Sequence, residues 1–212
     1  YLYRTRNDGL LYSNRGASAT KPDMYAQGRH PLSTDQNHLD TFVDSDYAAD
    51  ISRRSMKGIV IKLANAPVSW TSTLNKTVST STAESEVMAA FQAAKDAIHL
   101  KKMMSFLGLP QQTINLKEDN TACMAQINGG LKYVRRAKHY MVHLHFLQRQ
   151  VLDKVVKFEY CASKAQLADA FTKNLPAGDE PGHFHYFAKQ LLQPVSSAPE
   201  DIADLRGDGA ND

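Results

Sequence analysis

The chain has 212 residues, is 42% hydrophobic and carries a formal net charge of +3, enough for a real core in one ordinary domain with extensions or in two small domains. No apolar run approaches the ~20 residues that a membrane-crossing helix needs, and the first residues lack the basic-then-apolar pattern of a signal peptide. Cys123 and Cys161 stand far apart with no CxxC spacing, which argues against a zinc knuckle or a disulfide framework and fits a reducing compartment.

The chain begins without Met and reads as a piece of a longer one. Tyr1 to Ser13 holds an Asn-Asp-Gly turn between two apolar pieces, as a hairpin or the end of a preceding domain would. Residues 14–38 are rich in Gly, Ser, Thr, Pro and Asn and read as a linker or long surface loop. Leu39–Tyr47 alternates as a strand with Asp40, Phe42, Asp44 and Asp46 on one side. Ile51–Ser55 is a polar, basic turn. Lys57–Leu63 and Val68–Thr73 follow as strands, with Trp70 read as core rather than as a base-stacking platform. Three short strands joined by short turns imply an antiparallel meander.

A helix is expected from about Ala83 to Phe106, closed by Leu107-Gly108-Leu109-Pro110. Ser81 and Glu84 have capping-box spacing. Projection at ~100° per residue separates two neighbouring acids. Glu84 falls with Gln92, Lys95, His99 and Lys102 on a solvent face. Glu86 falls with Ala90, Ala93, Ala97 and Met104 on an apolar face. A carboxylate turned toward a core costs several kcal/mol unless it is paired, hydrogen-bonded or bound to a cation, so Glu86 needs partners.

Gln112–Glu118 reads as a strand with Asp119-Asn120 at its end. A helix follows from Thr121 to about Ile127, then another from Ala137 to Asp153 and a strand over Lys154–Cys161. Ser163 and Gln166 again have capping-box spacing and open a short helix carrying Asp169. Asp179–Gln193 can hold one more helix, and residues 194–212 read as a disordered acidic tail. The expected fold is α/β: a five-stranded mixed sheet, made of the meander plus two further strands and flanked by helices.

Asp44, Glu86, Asp119 and Asp169 all fall at strand ends or helix starts, where such sheets present ligands to a common cleft. Taken singly, Asp119 reads first as a cap or turn residue, Asp169 can be a surface acid, and Asp44 shares its face with Asp46. Together they would repel one another without divalent cations, and hard oxygen donors suit Mg²⁺ or Mn²⁺. Two such ions stabilise the attacking and leaving oxygens of phosphodiester hydrolysis. The stretch from Leu131 to Lys164 is basic through Lys132, Arg135, Arg136, Lys138, Arg149, Lys154, Lys157 and Lys164. It reads as a surface for an anionic partner or as a solvated helix face. Arg53 and Arg54 read as a phosphate contact or a solvated turn. His139, His143 and His145 lack a zinc motif, and helix packing or nucleic-acid contact is the better account.

The stretches VDSDYAAD, SWTST, STAESEVMAA, EDNTA and QLADAFTKNLP occur in that order. Together they resemble the ribonuclease H domain that closes the Pol polyprotein of copia-type retrotransposons, over roughly residues 39–176. Tyr1–Ser13 resembles the tail of the preceding reverse transcriptase domain. The resemblance implies a ribonuclease H-like domain at 39–176 and Asp44, Glu86, Asp119 and Asp169 as the acids that bind two Mg²⁺, with Mn²⁺ as an alternative; residues 177–193 read as a helical extension beyond it. It implies endonucleolytic cleavage of the RNA strand of RNA–DNA hybrids during reverse transcription. Arg53, Arg54, Lys132, Arg135, Arg136, Lys138 and His139 would contact nucleic acid. The reverse transcriptase portion of the same polyprotein would be a partner, no membrane would be involved, and the setting would be a cytoplasmic particle or the nucleus.

Three departures from the copia-type pattern, and one from cellular ribonucleases H, stand out. Lys138-His139-Tyr140-Met141 replaces the family's usual Lys-His-Ile-Asp. His143 and Arg149 stand where Arg and Glu are usual, and Thr73-Leu74 replaces a Lys pair. Ala162–Gln166 has no counterpart of the His that cellular ribonucleases H carry before the last Asp. The alternative is therefore a catalytically weak or inactive nucleic-acid-binding remnant of the same fold. An integrase-type strand transferase is disfavoured because no Glu lies at the required spacing after Asp119.

Overall fold

The computed structural model describes residues 8–10, 38–63, 66–129, 140–174, 187 and 191–194. Residues 14–37 of the expected linker, the acidic tail beyond 194, and Lys132, Arg135, Arg136, Lys138 and His139 lie outside the described residues. The main elements are β2 (Leu39–Asp46), β3 (Met56–Leu63), β4 (Ala66–Leu74), α1 (Thr82–Phe106), β5 (Ile114–Glu118), α2 (Thr121–Asn128), α3 (Met141–Leu152) and β6 (Val156–Tyr160). Two 3₁₀ turns follow, at Ser163–Ala165 and Leu167–Phe171. Near the two ends of the chain, β1 (Asp8–Leu10) pairs antiparallel with β7 (Leu192–Pro194).

The five-stranded sheet has the order β4-β3-β2-β5-β6. The meander β2–β3–β4 is antiparallel, and β2–β5 and β5–β6 are parallel. This is the mixed sheet expected from the sequence. The short turns of the meander permit only antiparallel pairing, whereas the passages through α1 and through α2–α3 return the chain to the same end of the sheet.

Each face has its own core. Val43, Ile59, Ile61 and Leu116 bury one face against Val87, Ala90, Ala94 and Ala97 of α1 and Leu144 and Leu147 of α3. Each fully buried Leu, Ile or Val contributes roughly 1.5–3 kcal/mol, and the alanines of α1 let the helix axis lie close to the sheet. The opposite face carries Phe42 and Val60 under Cys161, Leu167, Ala168, Phe187 and Leu191.

Two expectations are corrected. Trp70 is not core but 49% exposed; it lies on the edge strand β4, and an edge strand is covered less than its inner neighbours. The short helix after β6 is two 3₁₀ turns, and the Gln166 side chain, expected to cap it reciprocally with Ser163, is engaged with the sheet instead.

Gly58 sets how closely the last 3₁₀ turn approaches. It stands opposite Asp44 in the β2–β3 register. A Cβ there would lie 2.6 Å from the Ala168 carbonyl oxygen and 2.9 Å from Thr172 Cγ2. Since the nearest obstacle is backbone, Gly58→Ala is expected to push this segment off the sheet at a cost of about 1–3 kcal/mol. A lowered urea midpoint checks it, and an unchanged midpoint would show that the segment yields freely.

Candidate metal centre

β2 and β5 pair only as far as Phe42 and Lys117. Beyond that point β2 continues with β3 to Asp46, and β5 continues with β6 to Glu118. The two parallel strands therefore part at their C-terminal ends, where the connections leave in opposite directions along the sheet. Such a switch point is the usual ligand crevice of an open α/β sheet.

The Gln166 side chain fills the base of this opening. Its Nε2 donates to the Val43 carbonyl at 3.0 Å and to the Lys117 carbonyl at 3.2 Å. Its Oε1 accepts from the Ala168 amide at 3.3 Å. One buried amide thus ties together both acid-bearing strands and the turn that presents Asp169.

The four expected acids meet at this crevice. Asp44, Glu86 and Asp169 are 2%, 4% and 3% exposed, and Asp119 is partly exposed at the end of β5. Ligand oxygens of Asp44, Asp119 and Asp169 lie within 4.8 Å of one another, and so do those of Glu86, Glu118 and Asp119. Among the described residues, the groups able to hold a cation contain carboxylates and no histidine.

Lys173 partly balances this charge. Its Nζ lies 3.2 Å from Asp44 Oδ1 and 2.9 Å from Asp169 Oδ1. Burial pulls the ammonium's pKa down, but the hydrogen bonds and charges of Asp169 and Asp44 outweigh it and hold the pKa above the usual lysine range. Thr172 donates its hydroxyl to Asp44, and Ser163 donates to Asp119 Oδ2 at 2.7 Å.

The α1 side of the crevice is compensated less. Oε2 of Glu86 and Oε2 of Glu118 are buried, with no hydrogen-bond partner among the described residues. Burial, then the charges of Glu118, Asp44 and Asp119, push the Glu86 carboxyl up to about 10, with Lys173 opposing. Glu118 is likewise pushed well up by burial, against the Asn120 amide that donates to its Oε1 at 3.0 Å. Two ionised carboxylates within 4.8 Å repel by about 3 kcal/mol at an effective dielectric near 20. Orphaned oxygens, an all-oxygen donor set and excess negative charge together fit a hard divalent cation.

The structure corrects one of the two helix-start acids. Glu86 points inward as expected, but Glu84 is also buried, at 9% exposed. Its Oε2 accepts from the Thr80 amide at 2.7 Å and from the Thr80 hydroxyl at 2.6 Å. Its own amide donates to Ser81 Oγ at 3.2 Å. Glu84 thus fastens the helix start and takes no part in the crevice. Lys95, His99 and Lys102 do form the solvent face.

Arg53 is exposed in the β2–β3 turn, at the same end of the sheet as the acids, and Arg54 Nε donates to Ser52 Oγ at 2.8 Å. His143 packs edge-on to Phe91 with 4.3 Å between ring centroids, and His145 contacts Gln148; both serve helix packing.

Glu118, Gln166 and Lys173 were not singled out as site residues from the sequence. Alternation on β5 puts Glu118 on the side of Ile114 and Leu116, and that was its one available signal. Gln166 and Lys173 act across the fold and left none.

No family model matches the chain. It is 32% identical over 139 residues to the retrovirus-related Pol polyprotein from transposon TNT 1-94 of Nicotiana tabacum, a match covering 65% of this chain and 10% of that protein. It is 24% identical over 138 residues to the corresponding polyprotein from transposon RE2 of Arabidopsis thaliana, covering 65% and 10%. The fold is also that of LC11-RNase H1, isolated from compost, with a TM-score of 0.50 and 15% identity over 64% of this chain and 93% of that one. The chain is a segment of a copia-type retrotransposon Pol polyprotein with a ribonuclease H-like fold. This Pol segment spans about a tenth of the length of the polyproteins it matches. Among its described residues, no helix is long and apolar enough to cross a membrane.

Proposed function

We propose that this Pol segment is a metal-dependent endonuclease that hydrolyses the RNA strand of RNA–DNA hybrids during reverse transcription. The observation that carries this reading is the gathering of Asp44, Glu86, Asp119 and Asp169 at the opening between β2 and β5, with Glu86 Oε2 left without a partner. Likeness to LC11-RNase H1 and to transposon Pol polyproteins supports it.

Asp44, Glu86, Asp119 and Asp169 would hold two Mg²⁺ or Mn²⁺. Bound there, such ions stabilise the attacking and leaving oxygens of an in-line phosphoryl displacement. The protein supplies the rest. Gln166 fixes the spacing between the Asp44 and Asp119 strands, Ser163 orients Asp119, and Lys173 holds Asp44 and Asp169 together in the metal-free chain. Arg53 and Arg54 lie at the right end of the sheet for phosphates flanking the cut. Lys132, Arg135, Arg136, Lys138 and His139 are proposed to extend that contact. The hybrid's 2′-hydroxyls and intermediate helix shape would select the substrate. The reverse transcriptase portion of the polyprotein would be the partner, in a cytoplasmic particle.

A second reading, a non-catalytic hybrid-binding remnant, is favoured by the Lys173 ammonium, which already bridges two of the acids. One assay separates the two: cleavage of a labelled RNA–DNA hybrid in Mg²⁺ beside Asp119→Asn. The active enzyme should lose roughly 10²–10³-fold in that variant. Equal cleavage by both proteins would sink the assignment of Asp119. Salt-sensitive binding of the hybrid without cleavage by the native chain would establish the remnant.

A further inference from the structure

Among the described residues, Glu118 is the one crevice acid that the proposed ribonuclease site does not use, and it is fully buried. It closes β5 immediately before Asp119. Alternation turns its side chain to the α1 face, where Glu86 enters from the first turns of the helix. The two acids thus face each other, each with a buried oxygen that has no hydrogen-bond partner among the described residues. Their ligand oxygens and one of Asp119 all lie within 4.8 Å.

A structural role accounts for only half of this side chain. Oε1 accepts the Asn120 amide at 3.0 Å, at the point where Asn120 caps α2 by accepting the Cys123 amide at 2.9 Å. A neutral glutamine would do that equally well. Oε2 is left over, and burying a second acid beside Glu86 costs several kcal/mol, which the backbone amides of Asn120 and Asp119 offset only in part. The charge has a use only if a cation shares it. Nitrogen and sulfur donors are absent from this group, so the ion is of the hard, oxygen-preferring class.

We propose that Glu118, with Glu86 and Asp119, forms a divalent-cation site on the α1 side of the crevice, so that five carboxylates rather than four serve this Pol segment. The inference rests on the proposed metal-dependent function and adds a ligand to it. Asp119, common to both groups, joins the Glu118 site to the Asp44–Asp119–Asp169 site.

The test is Mn²⁺ binding, followed by electron paramagnetic resonance and by thermal melts, on the native chain, Glu118→Gln and Asp169→Asn. Glu118→Gln keeps the Asn120 contact and removes the charge. It should raise the metal-free melting temperature, weaken one Mn²⁺ site on the order of 10–100-fold and shrink the Mn²⁺-induced rise in melting temperature. Asp169→Asn should leave the Glu118-dependent site in place. Should Glu118→Gln fail to fold, Glu118→Ala carries the same Mn²⁺ titration. Native-like Mn²⁺ affinity and stoichiometry in the Glu118 variant, with Mg²⁺-dependent hybrid cleavage intact in the native chain, would overturn this inference alone. No Mn²⁺ binding by the native chain would overturn it together with the metal-dependent function.

Discussion

Glu86→Gln is expected to abolish Mg²⁺-dependent hybrid cleavage while making the metal-free chain more stable. Both effects follow from one buried oxygen. Glu86 is 4% exposed with Oε2 unpartnered, so in the absence of a cation its charge is a liability. Its pKa is raised to about 10 by burial and by Glu118, Asp44 and Asp119. The unfolded chain releases this proton near the ordinary carboxylate value, whereas the folded chain retains it. The folded state therefore binds more protons between about pH 4.5 and pH 10, and stability falls as pH rises through that window. Gln removes this contribution. At pH 7 the gain should be roughly 1–3 kcal/mol, or several degrees in melting temperature for a chain of this size. Urea melts across pH in chelator measure the slope, and a hybrid cleavage assay measures the loss.

Glu84→Gln is the control, with a role the sequence did not reveal. Its carboxylate receives the Thr80 amide and hydroxyl, so the variant should lose about 1 kcal/mol of stability and keep cleavage. If Glu84→Gln lost cleavage to the same degree as Glu86→Gln, the separation of the two acids would be wrong.

Gln166→Leu should carry the largest stability cost, about 2–4 kcal/mol. It leaves the Val43 and Lys117 carbonyls without their donor and the Ala168 amide without its acceptor, each a buried loss of about 1–3 kcal/mol before relaxation. Gln166→Glu is nearly the same shape but turns an acceptor oxygen toward two carbonyls, and it should be at least as damaging. The loss should also appear as weaker Mn²⁺ binding, because the Asp44 and Asp119 strands would no longer be held at fixed separation. A cost below about 0.5 kcal/mol, within the range of an ordinary surface change, would show that the opening between β2 and β5 does not depend on this amide.

Local pattern sufficed for much of this molecule. Side-chain pattern over Leu39–Tyr47 and Lys57–Leu63 marked strands, Ser81 and the Leu107–Pro110 stop bounded α1, and short turns dictated an antiparallel meander. The 3.6-residue period placed Glu86 on the alanine face before any partner was known. These features are legible because side-chain direction in a helix or strand is fixed by backbone geometry alone.

What covers a face is another matter, and here only the tertiary structure decided. Trp70 alternates like a core residue, yet it stands on the edge strand. Glu84 lies on the polar side of its helix, yet Thr80 folds over it. Gln166 has the spacing of a cap, yet its amide reaches the carbonyls of two strands far away in the chain. Glu118 was passed over as the last residue of a strand, yet α1 brings Glu86 against it. The sequence by itself determined that Glu86 turns inward from α1 and that Asp44, Asp119 and Asp169 lie at strand ends or helix starts. The parting of β2 and β5 beyond Phe42 and Lys117 decided that they point at one another, because a crevice between strands belongs to neither strand's own pattern.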